Sequence, residues 1–280
     1  MSKLEQLPVE IICAIFQRLT PCSLYRSFFN QNQRLNDIIR LCYATIRLSS
    51  STNADFRFYC EKILVHMINL QQIVSLSLTS KHNRFKQFHA LFNIEKCTNI
   101  RELSLVYLSS SDAKEVQDIL PKLRSSLTTI KILFLYCEEF HEQRLLEMIF
   151  CRQTMPSLKS CDITYRDGLI QNFTKSTTSN IENLNIRYIS IKELILLFQY
   201  LPKLKRLYAY SATHFRHLVY SDHLRPSVLL KTLTHLKLHY VLPPYNLIEI
   251  LFRRTQGSPT SPFFEYRIST PNEKLCSKFR

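Results

Sequence analysis

The side chains best suited to binding chemistry are histidines, arginines and tyrosines late in the chain. His235 and His239 lie four residues apart in a segment with the apolar alternation of a β-strand. Together with His214 or His217 they make up the one set of imidazoles that could hold a metal ion. Carboxylates and paired cysteines are missing nearby, so the sequence argues against a metal site, and we predict no cofactor.

Catalytic motifs are also missing from the sequence. There is no G-x-S-x-G, no H-E-x-x-H and no active-site cysteine signature. The two glycines, Gly168 and Gly257, are too few for a phosphate-binding loop or a dinucleotide fingerprint, each of which needs several closely spaced glycines. We therefore predict that the chain is not an enzyme and that it works by binding.

The cysteines favour a reducing compartment. All nine lie outside C-x-x-C spacing, which argues against a zinc finger or a thioredoxin-like motif. An odd number without a framework suits free thiols in the cytoplasm or nucleus. The N-terminus has no apolar signal segment, and no apolar run approaches the ~18 residues of a spanning helix. We expect a cytoplasmic or nuclear protein with no membrane partner.

Charge and composition describe a basic protein with a sizeable core. The hydrophobic content is 45% and the net charge is +15. From residue 181 onward there are fifteen Lys and Arg residues against six Asp and Glu residues, so the positive charge is concentrated late in the chain. Such a surface favours acidic partners and non-specific contact with nucleic acid.

The first forty residues predict three short amphipathic helices. Ile11, Ile12, Ile15, Phe16 and Leu19 recur at helical spacing and form one apolar stripe. A threonine and a proline at positions 20–21 then give a start signal for a second helix. Three helices of this size cannot bury all their apolar side chains among themselves, so some apolar surface should remain for a partner. The residues expected to stay exposed are Leu7, Pro8, Ile11 and Ile15. The other interpretation is a small helical cap on a larger domain.

This N-terminal pattern resembles an F-box, with Leu7 and Pro8 at its start, Glu10 two places on and apolar residues following at helical spacing. In that family the module binds the Skp-type adaptor of a cullin-RING ubiquitin ligase. Many F-boxes carry a tryptophan in the third helix, where this chain has residues 34–36, Arg-Leu-Asn. The resemblance implies adaptor binding through Leu7, Pro8, Ile11, Ile15, Phe16 and Leu19.

A six-residue pattern, apolar-x-x-apolar-x-apolar, recurs nine times from residue 43 to the end of the chain. Successive copies start 23 to 30 residues apart. They begin at residues 43, 73, 100, 130, 158, 181, 204, 233 and 263. The alternating part of each copy predicts a short strand, and helices are expected over residues 85–95, 112–123, 139–150, 191–201 and 246–253. Asp112-x-x-Glu115 and Ser190-x-x-Glu193 resemble capping boxes at two of the helix starts.

Strands and helices alternating at this interval predict an α/β fold with a parallel sheet whose units stack in one direction. The pattern resembles the degenerate leucine-rich repeats found behind many F-boxes, although the asparagine expected after each strand is missing. The resemblance implies a solenoid over residues 43–280, with a curved parallel sheet inside and helices outside, behind a three-helix module over residues 1–42. An ordinary α/β domain with leucine-rich strands is the alternative.

The residues between the apolar positions of each strand are predicted to share the inner face of the sheet. They are Ser75, Ser77, Thr79, Glu102, Ser104, Phe134, Tyr136, Ser160, Asp162, Thr164, Asn183, Asn185, Arg187, Arg206, Tyr208, Tyr210, His235, Lys237, His239 and Arg267. The late members are basic and aromatic, which suits an acidic or phosphorylated segment of a target protein. A solvated face without a ligand is an equally weighted alternative.

Two functions follow from these features. In the first, the chain is the substrate-recognition subunit of a Skp–cullin–F-box ubiquitin ligase and reaches a cullin through the adaptor. Its target is expected to bind Arg187, Arg206, Tyr208, Tyr210, His235, Lys237 and His239. In the second, the chain is a leucine-rich-repeat scaffold that binds protein or RNA without a role in ubiquitination. Specific nucleic-acid binding is the less favoured possibility, because no glycine-rich RNA motif is present.

Overall fold

The computed structural model describes residues 3–134, 139–164, 178–189, 191–211, 232–240 and 263–268. The chain divides into two compact units, Met1–Leu108 and Ser109–Arg280. The N-terminal helices and the first three strands belong to the same unit. Residue 42, the predicted end of the helical module, is therefore not the border between the two units.

Three short helices open the first unit, as the apolar spacing predicts. They are α1 (Val9–Phe16), α2 (Pro21–Ser27) and α3 (Gln33–Leu41). The Thr20 hydroxyl accepts a hydrogen bond from the Ser23 backbone N–H at 3.2 Å, with Pro21 at the first helical position, so the predicted start of α2 is confirmed. Asn32 caps α3 in the same way, accepting from the Leu35 backbone N–H at 2.9 Å.

The rest of the first unit contains three parallel strands with helical connections. Its strands are β1 (Ala44–Arg47), β2 (Ile73–Thr79) and β3 (Glu102–Leu108), paired in that order. Its helices are α4 (Asn53–Phe58), which continues as a π-helix over Tyr59–Met67, and α5 (Arg84–Phe92). Buried Gln72 joins the sheet to the helical module, because its amide donates to the carbonyls of Ile39 and Cys42 at 3.0 and 2.8 Å.

The second unit continues the strand–helix pattern. Its strands are β4 (Thr129–Phe134), β5 (Ser160–Thr164), β6 (Asn183–Arg187), β7 (Arg206–Ser211), β8 (His235–Tyr240) and β9 (Phe263–Ile268). Its described helices are α6 (Ser110–Leu123), α7 (Glu139–Ile149) and α8 (Ile191–Leu197). From β4 to β9, consecutive strands of the chain pair in parallel. The predicted α/β class with parallel, consecutively paired strands is confirmed.

For one copy of the six-residue pattern, the copy predicted to begin at residue 130, the predicted frame is wrong. Ile130 pairs with Cys161 and Ile132 pairs with Ile163, so Ile130 fills the second apolar position of its copy. The copy therefore begins at Leu127, which is fully buried, and not at residue 130. This correction moves Phe134 off the inner face, which in β4 is instead occupied by residues 129 and 131. Tyr136 lies outside the described residues.

Two further predictions about local structure are corrected. The cap of α6 is Ser109, whose hydroxyl accepts from the Asp112 backbone N–H at 3.3 Å, so Asp112-x-x-Glu115 is not a capping box. The Thr79 side chain is buried and is not part of an open face. The predicted helix over residues 246–253 and the capping residue Ser190 lie outside the described residues.

Tyrosines with left-handed backbone geometry lie near the ends of two strands, Tyr107 inside β3 and Tyr188 directly after β6. Tyr107 has φ of 59° and Tyr188 has φ of 66°, and both occupy the second position after the last core residue of their repeat copies. The residues that follow them, Leu108 and Ile189, are buried. A left-handed residue is costly for a side chain other than glycine or asparagine. Burial of Leu108 and Ile189 stabilises the fold and offsets the cost of the left-handed residue that precedes each of them.

Candidate interaction surfaces

The first surface is the outer side of α1. Ile11 is 49% exposed and Ile15, one turn later, is exposed beside it, whereas Ile12 is buried. The helix follows Pro8, whose carbonyl accepts from the backbone N–H groups of Ile11 and Ile12 at 3.1 and 3.2 Å. The result is a short helix with one apolar side in the core and another open to solvent.

The residues predicted for adaptor binding do not all lie on this open side. Pro8, Ile11 and Ile15 are exposed, while Leu7 and Leu19 are half-buried. Phe16 is fully buried, with its ring centroid 5.0 Å from that of Phe28. Its assignment to a partner surface is therefore wrong, because a side chain already enclosed in the core cannot also contact a partner. Val9, which the sequence analysis left out, is also exposed, but it lies two residues before Ile11 and therefore on another side of the helix.

A hydrogen bond from α3 supports the start of α1. The Arg34 guanidinium donates to the Leu7 backbone carbonyl at 3.0 Å. Arg34 holds the segment before α1 through a charged donor, an interaction that resists displacement better than a neutral hydrogen bond does.

A second apolar surface, absent from the sequence analysis, lies elsewhere in the first unit. Leu41, Tyr43 and Val65 are all exposed, and they line a groove of about 420 Å³ together with Arg40 and His66. Leu41 ends α3, where its neighbours Ile38 and Ile39 are buried. The helical spacing in this segment predicts an amphipathic helix but does not reveal which leucine remains outside the core.

The third surface is the polar face of strands β6–β8. Register places the residues between the core positions in three rows that run across neighbouring strands. The rows are Asn183, Arg206 and His235; Asn185, Tyr208 and Lys237; and Arg187, Tyr210 and His239. Neighbouring strands lie about 4.8 Å apart, so the members of one row are close enough for their side chains to touch.

Exposure separates the candidate residues within this face. Arg187, Arg206, Tyr208 and His235 are exposed, and Tyr210 is 49% exposed. Lys237 is half-buried. His239 is only 9% exposed and stacks on Tyr210, with ring centroids 4.2 Å apart and planes 12° apart. His239 therefore supports the Tyr210 ring and offers little surface of its own.

Acidic residues flank the basic part of this face, which the sequence analysis did not take into account. Asp162 precedes Asn185 in the middle row, and Glu265 takes the register position next to Lys237. Arg267 takes the register position next to His239, while its side chain lies outside the described part of the chain. The positive charge is therefore strongest over β6–β8. In the middle row, an acidic residue takes the next register position on each side, on β5 and on β9.

A nearby ion pair lies at the starts of these strands and not on the polar face. The Lys205 ammonium is 2.7 Å from a Glu182 carboxylate oxygen. This hydrogen bond lowers the pKa of Glu182. The Lys205 side chain is 54% exposed and that of Glu182 is 28% exposed, so solvent weakens the pair. We assign it a small role in fixing the turns that lead into β6 and β7.

Two of the buried thiols, Cys97 and Cys161, are poorly suited to chemistry. Burial raises the pKa of Cys97 to about 12 and holds the pKa of Cys161 well above its ordinary value. The thiolate is the reactive form of cysteine, so these side chains are weak nucleophiles at neutral pH. They pack as small apolar groups in the core.

Within the described ranges, no three His, Cys, Asp or Glu side chains come together as a set that could bind a metal ion. His214 and His217, which the sequence analysis considered as metal ligands beside His235 and His239, fall outside those ranges. None of the described helices is long and apolar enough to cross a membrane. No protein-family model matches the chain, and no curated protein sequence matches it significantly.

Proposed function

We propose that this chain is the substrate-recognition subunit of a ubiquitin ligase of the Skp–cullin–F-box type. The observation that carries the proposal is the open apolar side of α1, formed by Ile11 and Ile15 one helical turn apart. These side chains belong to a three-helix module whose order and capping agree with the F-box-like sequence. An exposed apolar cluster on a small module that is otherwise well packed is typical of a protein-binding surface.

The polar face of β6–β8 supports the second half of the proposal. Tyrosines and arginines are the residues that most often dominate the energy of protein interfaces. Here Tyr208, Tyr210, Arg187 and Arg206 lie exposed on neighbouring strands. Rigid strands hold these residues at fixed spacing. Binding of a target segment therefore costs little conformational entropy of the site.

The proposed role is positioning and not chemistry. The adaptor would occupy α1 in the first unit, and the target would occupy the polar face in the second unit. Bringing a target lysine near a charged transfer enzyme raises its effective concentration, which alone accelerates a bimolecular reaction strongly. The covalent steps would belong to other subunits in the cytoplasm or nucleus.

Co-purification with a Skp-type adaptor tests this function. The full chain is co-expressed with the adaptor as wild type, as Ile11→Asp/Ile15→Asp and as Leu91→Asp. Leu91 is 65% exposed on α5, so its substitution is a matched control for placing a carboxylate on an exposed apolar position. We expect the adaptor to co-purify with the wild type and the control but not with the double variant.

Two results would count against the proposal. A well-folded wild-type chain that does not retain the adaptor excludes adaptor docking and leaves a repeat scaffold that binds protein or RNA. Retention by the double variant excludes α1 as the docking surface. Circular dichroism of all three proteins checks that a lost complex does not reflect unfolding.

A further inference from the structure

The polar face of β6–β8 combines cations and aromatic rings in one small area. Tyr208 is the central residue. Lys237 lies directly opposite it on β8, Arg206 lies two residues before it on β7, and Arg187 lies diagonally from it on β6. From the strand spacing and the rise along a strand, these three cationic residues start about 5 to 8 Å from Tyr208 at the backbone. Their long side chains can therefore converge on one group bound above the Tyr208 ring.

Tyr210 extends this site with a second, fixed ring. It is paired with Arg187 on one side and stacked on His239 on the other. Stacking at a centroid distance of 4.2 Å limits the rotation of the Tyr210 ring, while half of the side chain remains open to solvent. An exposed, immobilised ring is a suitable platform for another aromatic group.

The acidic neighbours limit the size of the ligand. Asp162 on β5 and the register position of Glu265 on β9 lie on the two sides of the middle row, in which the cation of β6–β8 is Lys237. Along this row the area between the two acidic positions is about 10 Å wide, the span of three strands. A nucleic-acid strand needs a longer cationic groove that follows its backbone over several nucleotides. One doubly charged group on a peptide fits the area better.

We propose that this face binds a phosphotyrosine side chain of the target protein. The phosphate carries close to two negative charges at neutral pH and offers three acceptor oxygens, which suits Arg187, Arg206 and Lys237. The phenyl ring of the same side chain would pack against Tyr208 and Tyr210. The inference deepens the proposed function, since it names the class of target for the ligase, but the binding itself does not depend on the adaptor.

Short glycine-flanked peptides test the proposal. The probes contain phosphotyrosine, phosphoserine or unmodified tyrosine at their centre, and their dissociation constants are measured by NMR titration of the full chain without adaptor. We expect the phosphotyrosine peptide to bind at least about tenfold more tightly than either of the others, a difference that one aromatic contact or one charged group readily provides.

Three variants locate the binding. Arg187→Ala/Arg206→Ala should weaken the phosphotyrosine peptide at least about tenfold. Tyr210→Ala should reduce the preference for phosphotyrosine over phosphoserine. Lys131→Ala is the matched control, because Lys131 is an exposed cation in the middle row beyond Asp162, and its loss should leave the affinity unchanged.

Each alternative result would overturn the proposal. Equal affinity for the phosphoserine and phosphotyrosine peptides would exclude a role for the aromatic platform. Affinity unaffected by the double arginine variant would exclude this face. A short oligouridine that binds more tightly than every peptide would identify a nucleic-acid surface instead. None of these results alters adaptor binding through α1, so failure of this inference is distinguishable from failure of the proposed function.

Discussion

The rings of Phe16 and Phe28 pack together with their centroids 5.0 Å apart and their planes inclined by 42°. The contact joins α1 to the residue that ends α2. Phe16 is fully buried, whereas Ile11, five residues earlier on the same short helix, is half exposed. Phe16 therefore contributes to the core, whereas Ile11 is open for the proposed contact with a partner.

Substitutions at these two positions should separate the two roles. Phe16→Ala removes a fully buried aromatic side chain, and we expect it to lower the free energy of unfolding by about 3 to 5 kcal/mol. Ile11→Ala changes a half-exposed side chain and should cost less than about 1 kcal/mol. Urea denaturation followed by circular dichroism measures both. Equal destabilisation by the two substitutions would contradict this division of α1.

The polar face of β6–β8 should control the selection of targets. Arg187→Glu/Arg206→Glu/Lys237→Glu should abolish target capture, because the variant repels the acidic or phosphorylated segments that the wild type attracts. Lys131→Glu/Arg152→Glu/Lys203→Glu changes the net charge equally at exposed positions of the same unit outside β6–β8. Comparative mass spectrometry identifies the proteins that co-purify with each of the two variants. The account fails here if the two variants lose the same proteins, or if the first keeps them all.

The cap of α6 should contribute measurably to stability. Ser109→Ala removes the hydroxyl that accepts from the Asp112 backbone N–H, and we expect the free energy of unfolding to fall by about 1 kcal/mol. Ser125→Ala changes an exposed serine beyond the end of the same helix and serves as the control. Thermal or urea denaturation measures the free energy of unfolding of the two variants. If Asp112 were the cap residue, as its spacing to Glu115 suggested, Ser109→Ala would have no more effect than the control.

The stability of the first unit should depend on the ionisation of Asp55. Hydrogen bonds from the Thr52 hydroxyl at 2.8 Å and the Thr52 backbone N–H at 3.3 Å lower the pKa of this carboxyl group. The folded chain therefore holds the proton less tightly than the unfolded chain does. The resulting stabilisation is complete above the ordinary aspartate pKa of about 3.9 and is lost as the pH falls through the lowered value.

Comparison of wild type with Asp55→Asn over a pH series measures this effect. The wild type should be more stable at neutral pH, and the two stability curves should approach each other as the pH falls below about 4. An NMR titration of the Asp55 carboxyl carbon gives its pKa directly. Curves that stay parallel throughout the acidic range would exclude the expected linkage.

The alternation of strands and helices and the three N-terminal helices were predictable from the sequence because each relies on periodicity. Alternating core positions give strands, and spacing of three or four residues gives the faces of helices. Periodicity could not choose between the two overlapping frames that begin at Leu127 and Ile130, since both satisfy the six-residue pattern. The pairing of Ile130 with Cys161 in the neighbouring strand selects the frame that begins at Leu127.

The candidate sites were less predictable than the fold for a related reason. Ile11 and Ile12 are chemically identical, and only the packing of α1 against α3 decides which one is buried. Similarly, the sequence predicts the residues of the basic face from the alternation within each strand separately. The stacking of His239 on Tyr210 and the register position of Glu265 beside Lys237 depend on pairing between strands, which a single sequence does not state.

The affinity of the purified chain for a Skp-type adaptor tests the central claim most directly. The dissociation constant is measured by calorimetry for the wild type, Ile15→Asp and Leu91→Asp, with folding verified for each. The account predicts that Ile15→Asp weakens binding at least about a hundredfold, as expected for a carboxylate buried without a partner at an interface, and that Leu91→Asp has no effect. Wild-type affinity in Ile15→Asp, or no binding by the folded wild type, would contradict it.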